Sequence, residues 1–241
     1  MENTILKSSL KKRIWELDFL KGIALVFMVW DHIIYNLYGF FGFNVSSLGF
    51  FKEGIGVISS IIFMTVCGIS LTLGRHNLKH GFVVFSLSLF LTLFTFVFDK
   101  ITDSGALILF GILHFLGLSM IIGHFAKKLP VFVLAVFSAL SFFLGCYFRT
   151  FTVSFPFLFP FGLTTSAFYS SDYFPLFPNL GYVFLGIIIG KTVYKNKKSL
   201  FPFSPKKSLM CFLGKHTLLL YFAHQPVVFG LIFVIVKIFN L

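Results

Sequence analysis

The chain alternates long apolar runs with short polar turns, and most of those turns are basic. The runs are too long for sheet strands and too continuously apolar for helices that bury one face in a water-soluble core. At about 20 residues per bilayer crossing, they predict seven spans, near residues 14–36, 54–74, 81–98, 105–125, 130–147, 177–193 and 212–239. The 54–74 run is rich in Gly, Ser, Thr and Cys, which lets helices approach closely in lipid and predicts a central position. The connection over 148–176 is long. Pro156, Pro160 and Pro175 forbid a regular helix through it, and its aromatics suit a membrane interface. In the last run Pro226 removes the hydrogen bond to the Phe222 carbonyl, so a kink is expected there. The predicted fold is all-α: one polytopic helix bundle, a single domain over residues 1–241.

Composition strengthens this picture. Of 241 residues, 57% are hydrophobic and 12% charged, where soluble domains carry about a quarter charged residues. The net charge of +12 does not point to nucleic acid, because the cations sit in turns and form no basic stripe with interleaved aromatics. Lys7, Lys11, Lys12, Arg13, Arg75, Lys79, Lys127, Lys128, Lys195, Lys197, Lys198, Lys206 and Lys207 fall on one side of a seven-span threading. Lys52, Lys100 and Arg149 fall on the other. The positive-inside rule then puts the N-terminus in the cytoplasm of a multi-pass plasma-membrane protein. The first run is too long, and too charged, for a cleaved signal sequence. Cys67, Cys146 and Cys211 lie in or beside apolar runs with no CxxC spacing, and read as small core residues.

Candidate chemistry concentrates in the first run, RIWELDFLKGIALVFMVWDHIIY, residues 13–35. An Asp or Lys at the centre of a bilayer costs about 2.5–3.5 kcal/mol on insertion scales, so such residues persist where they face a partner or a wet cavity. At 3.6 residues per turn Lys21, Leu25, Met28 and His32 form one row, with Asp18 and Tyr35 flanking it. Eleven residues put about 16 Å between Lys21 and His32, half the hydrocarbon thickness. The orientation divides the polar residues by depth. Arg13, Glu16, Asp18, Lys21, Lys215 and His216 lie toward the cytoplasm. Asp31, His32, His114 and His224 lie from mid-membrane outward, and Asp172 and Arg149 belong to the long outer connection. The inner set reads in one of two ways: Asp18 and Lys21 as a snorkelling interfacial pair at three-residue spacing, or an anion site with Lys21 and Lys215 meeting phosphates. In the outer set His32 exchanges protons, with Asp31, His114, His224 and Asp172 as partners. A metal site from His32, His114, His224 and Asp31 is chemically allowed, but no HxxxH or ExxH spacing among them supports it.

The stretches LDFLKGIALVFMVWDH, FGILHFLGLSM around His114, SSDYFPLFPNLGYVFLGIIIGK around Asp172 and LGKHTLLLYFAHQP around His224 together resemble the heparan-alpha-glucosaminide N-acetyltransferase catalytic-domain family, in its small bacterial branch. The first helix also resembles the wider membrane acyltransferase pattern, in which an Arg and a His are separated by ten intervening residues. Lys21 occupies the place of that Arg. The lysosomal animal members carry their proposed active His in the loop after the first helix; residues 33–53 here contain none. The active His therefore maps to His32, and the heparan substrate does not carry over.

The resemblance implies a transmembrane acyltransferase. It would use acetyl-CoA, or another acyl-CoA, as donor on the cytoplasmic side, and a sugar or glycan acceptor on the far side. Lys21, Asp18 and Lys215 would hold the CoA phosphates; His32, Asp31, His114, His224 and Asp172 would form the catalytic set. The expected partners are the lipid bilayer, the CoA thioester and the acceptor, with a homodimer allowed. A proton-coupled transporter or exporter is the rival class, since intramembrane His and Asp also serve proton relays. It predicts paired broken helices in inverted repeats, and the sequence shows no such pair.

Overall fold

A computed structural model describes residues 13–45, 48–203, 205 and 208–239, without the side chains of residues 50, 52 and 53. The basic residues Lys7, Lys11, Lys12, Lys206 and Lys207 lie outside the described residues. The helices are α1 (Trp15–Gly39), α2 (Phe50–Leu73), α3 (Asn77–Thr102), α4 (Ile112–Ala126), α5 (Val131–Phe148), α6 (Leu176–Thr192), α7 (Leu209–Lys215) and α8 (Thr217–Phe239). No strand occurs among the described residues, only two isolated bridges, Phe110 with Tyr173 and Thr152 with Thr164. The protein is an all-helical membrane bundle. Helices α3, α5, α8 and the Gly54–Leu73 stretch of α2 are long and apolar enough to cross a bilayer by length and composition.

The surface is that of a lipid-facing protein. Phe90, Leu93 and Phe94 of α3 are 65%, 60% and 57% exposed, whereas the side chains with essentially no accessible surface include Ser88, Ser119 and Ser138. Apolar outside and small polar inside reverses the soluble arrangement. The interior is built where backbones meet. Gly68 of α2 and Gly186 of α6 face each other: a Cβ on Gly68 would lie 2.1 Å from the Val183 carbonyl oxygen, and one on Gly186 2.1 Å from that of Thr65. Between α1 and α7 the pair is Gly22 and Gly214, whose added Cβ atoms would lie 2.0 Å from the Met210 oxygen and 1.7 Å from the Asp18 oxygen. Only hydrogen fits at these four positions. Ser59 donates to the Ala24 carbonyl at 2.7 Å, tying α2 to α1.

The two ends of the bundle are stitched separately. At the end holding Arg13, Glu16 accepts from the Ser199 hydroxyl at 2.9 Å and the Leu200 N–H at 2.8 Å. Lys127 donates to the carbonyls of Leu71 and Gly74, and Lys191 to those of Lys127 and Leu129. The turns at 75–80 and 127–130 and the loop after α6 thus share one end. At the opposite end the long connection, with only a short 3-10 turn at Pro156–Phe161, folds back on residues 105–111. Tyr169 donates to the Gly105 carbonyl at 2.6 Å, and the Phe174 N–H to the Phe110 carbonyl at 2.9 Å.

Two predicted boundaries are corrected. The fourth helix begins at Ile112, not near 105. Residues 105–111 are non-helical, because their N–H groups bond to side chains: Ala106 to Asp99 at 2.7 Å, Ile108 to Thr95 at 3.2 Å and Leu109 to Ser170 at 3.0 Å. At 15 residues, α4 is about 22 Å long, shorter than the hydrocarbon core of a bilayer. The last predicted span is two helices, divided at His216. Helix α8 itself continues through Pro226.

Candidate active site

The face of α1 that periodicity marks is turned inward. Leu25 and Met28 are 3% and 7% exposed, so Lys21 and His32, one turn beyond them at either end, border the bundle interior. The groups acting most strongly on Lys21 are Asp18, Cys67 of α2 and Arg13. Asp18 itself pairs with Arg13 at 3.8 Å, and Lys21 forms no ion pair within 4 Å among the described residues. Its ammonium thus sits at the Arg13 end of the α1 row with no carboxylate closed on it. Lys215 is exposed on α7 and is not among the charges that act on Lys21. Its neighbour Gly214 packs on the Asp18 backbone, one turn from Lys21.

Deeper along α1, the His32 Nδ1–H donates to the Met28 carbonyl at 2.8 Å. The His224 Nδ1–H donates to the Tyr221 carbonyl. In each case a carbonyl, which can only accept, holds the proton on Nδ1 and leaves a lone pair on Nε2. The rings stand perpendicular with centroids 4.6 Å apart. The Nε2 of His224 is buried and has no hydrogen-bond partner among the described residues. Two basic nitrogens are therefore presented in one place by two different helices.

Carboxylates border this pair. Asp31 lies over Gly56 of α2, where a Cβ would come within 2.4 Å of its Oδ1. Asp172, from the long connection, accepts the Ile112 N–H at 3.0 Å, so it sits at the positive end of α4. Tyr221 of α8 lies against the same carboxyl, and Asp31 and His32 are the charges nearest it. Burial raises the Asp172 carboxyl above the usual carboxylate range, against the pull of the Ile112 N–H.

His114 is placed differently. Its Nδ1 accepts the Gly111 N–H at 3.2 Å. Thr92 gives its hydroxyl proton to the Ile108 carbonyl at 2.8 Å, so its oxygen accepts the His114 Nε2–H at 3.0 Å. Both ring nitrogens are thereby occupied in the neutral form, and the ring is 2% exposed between Phe110 and Phe85. His114 and Asp172 satisfy successive N–H groups at the start of α4, Gly111 and Ile112. Those N–H groups would otherwise lack partners.

Residue type alone does not single out Asn36 and Tyr221 as functional. Asn36 is fully buried one turn beyond His32 on the same face of α1, and its Oδ1 accepts from the Gln225 Nε2–H at 2.9 Å. An Asn at i+4 from His32 in an apolar run is a signal that could have found it. An open apolar cavity of about 320 Å³ runs between α1 and the α7–α8 pair, lined by Leu25, Val29, Leu213, Leu220, Ala223 and His224. It reaches from Leu25 to His224 and opens past the exposed Val26 and Val227. No three His, Cys, Asp or Glu side chains among the described residues converge as metal ligands do.

A helical membrane bundle with a half-buried imidazole pair, flanking carboxylates and a lysine on the same helix face has the make-up of an enzyme acting within the membrane. Residues 13–226 match the family described as heparan-alpha-glucosaminide N-acetyltransferase, catalytic, and the chain belongs to that family of membrane acyltransferases. The match covers every site residue named above. No curated protein and no solved structure matches the chain.

Proposed function

We infer that this protein transfers an acetyl group from acetyl-CoA, bound from the cytoplasmic end, to a sugar acceptor bound from the outer end. The observation that carries the reading is the inward row Lys21–Leu25–Met28–His32, with a cation at one end, a free Nε2 at the other and an apolar cavity alongside. Lys21 meets the phosphates of the donor as a point charge. The thioester arm of the donor follows the apolar course between α1 and α8. His32 Nε2 takes the proton from the acceptor hydroxyl or amine as that oxygen or nitrogen attacks the thioester carbonyl. The C–S bond then breaks, the acetyl group stays on the acceptor, and the imidazolium returns its proton to the departing CoA sulfur. His224 and Asp31 set the electrostatics around that ring. Asp172 and His114 hold the start of α4 beside it. The membrane is the plasma membrane, with the basic end inward.

The test is release of CoA thiol by the purified protein in lipid nanodiscs given acetyl-CoA and a glucosaminide acceptor. Acceptor-dependent release by the native protein, abolished in His32→Ala that still folds, is the expected result. A native protein that neither binds nor turns over acetyl-CoA overturns the reading and favours the proton-coupled transporter.

A further inference from the structure

The bridge between Asn36 and Gln225 is only half made. Two facing carboxamides can exchange two hydrogen bonds, one each way. Here Gln225 Nε2 donates to Asn36 Oδ1 at 2.9 Å, while Asn36 Nδ2 and Gln225 Oε1 are both buried and without a partner among the described residues. Turning both carboxamides over leaves the same remainder: one N–H donor and one carbonyl acceptor. Asn36 has no exposed surface at all, so this is not a solvated pair. The unpartnered His224 Nε2 is contributed by the residue next to Gln225. Groups of this kind are seldom left open inside a protein unless a ligand or ordered water completes them.

We propose that the Asn36–Gln225 pair is the acceptor subsite, and that it recognises an uncharged group able both to donate and to accept, a sugar hydroxyl. This rests on the acyltransfer reading and adds the recognition chemistry that it lacks. Asn36 stands four residues beyond His32, about 6 Å along α1. That suits recognition of a substituent elsewhere on the ring whose own hydroxyl or amine is at His32. No charged side chain belongs to the pair: the carboxylates Asp31 and Asp172 lie with His32, over Gly56 and at the start of α4. A site built to satisfy a hydroxyl rejects an analogue lacking it far more strongly than an apolar pocket rejects a change of shape.

The experiment titrates the full-length protein in nanodiscs with methyl β-D-glucoside and with its monodeoxy analogues, following thermal protection, and with acetyl-CoA in parallel. The expected result is saturable protection by the glucoside, weakened at least tenfold when one particular hydroxyl is removed. The double variant Asn36→Leu with Gln225→Met should weaken it by a similar factor and leave acetyl-CoA binding unchanged. Equal binding of every deoxy analogue, no binding of the glucoside, or undiminished binding by the folded double variant overturns the subsite. Because the deoxy series uses the native protein, a double variant that fails to fold still leaves a decisive result. Glucoside protection with the hydroxyl requirement, but no acetyl-CoA binding, supports the subsite and overturns the acyltransfer reading instead.

Discussion

His114 and His32 are the same residue type at helix positions where sequence alone treats them alike, yet their rings are held in opposite ways. His114 accepts at Nδ1 and donates at Nε2, and both partners belong to the framework that starts α4. His32 donates at Nδ1 to its own helix and keeps Nε2 open beside His224. Depth in the membrane therefore does not make a histidine reactive. What decides is which nitrogen the local backbone claims. A ring that bonds back to a carbonyl of its own helix spends one nitrogen and frees the other. A ring at the first turn, where orphan N–H groups need acceptors, is spent on both sides.

The contrast fails if the two histidines respond alike to substitution. His32→Ala should lower acetyl transfer by about 10²–10⁴-fold, the range for loss of a general base, with the unfolding temperature retained; thiol release and thermal unfolding on the same sample check it. Lys21→Gln should raise the KM for acetyl-CoA roughly 10–100-fold at nearly constant kcat, as expected when a charge-assisted contact made in both ground and transition states is lost. A fall in kcat alone would place Lys21 elsewhere in the mechanism. His114→Ala should cost stability, about 2–4 kcal/mol from a cavity plus an uncapped N–H, and activity should fall only as folded protein is lost. His114→Asn should recover some of that stability, because its carbonyl can still accept the Gly111 N–H, whereas His32→Asn should recover no activity. The smallest effect expected is Thr92→Val, about 1 kcal/mol for the lost hydrogen bonds, read as a lower unfolding temperature.

Much of the bundle was legible in the sequence because apolar runs bounded by polar turns mark where helices lie, although seven predicted runs became eight helices among the described residues. Leu25 and Met28 between Lys21 and His32 made the inward row of α1 readable from helical period alone. What escaped depended on contacts distant in sequence. The partner of His114 is Thr92, and that of the Ile112 N–H is Asp172; no local pattern links them. The late start of α4 came from side chains at 95, 99 and 170 capturing the backbone of 105–111. The break at His216 was hidden inside one apolar run, where Pro226 was the more conspicuous signal. Lys215 matched the charge expected for a phosphate, but its side of α7 is exposed.

The close approach of Gly22 to Met210 and of Gly214 to Asp18 has a mechanical consequence. It pins α1 to α7 near the inner end, and ten residues further on from each glycine stand His32 and His224. Along α1 that is an arm of about 15 Å, so a tilt of about 10° at the pivot would swing the His32 ring by about 2.5 Å, while the arm to His224 crosses the break at His216. Such a swing is enough to separate the rings that now meet edge to face. A methyl group added at Gly22 or Gly214, far from any reacting atom, would therefore reach the chemistry by leverage.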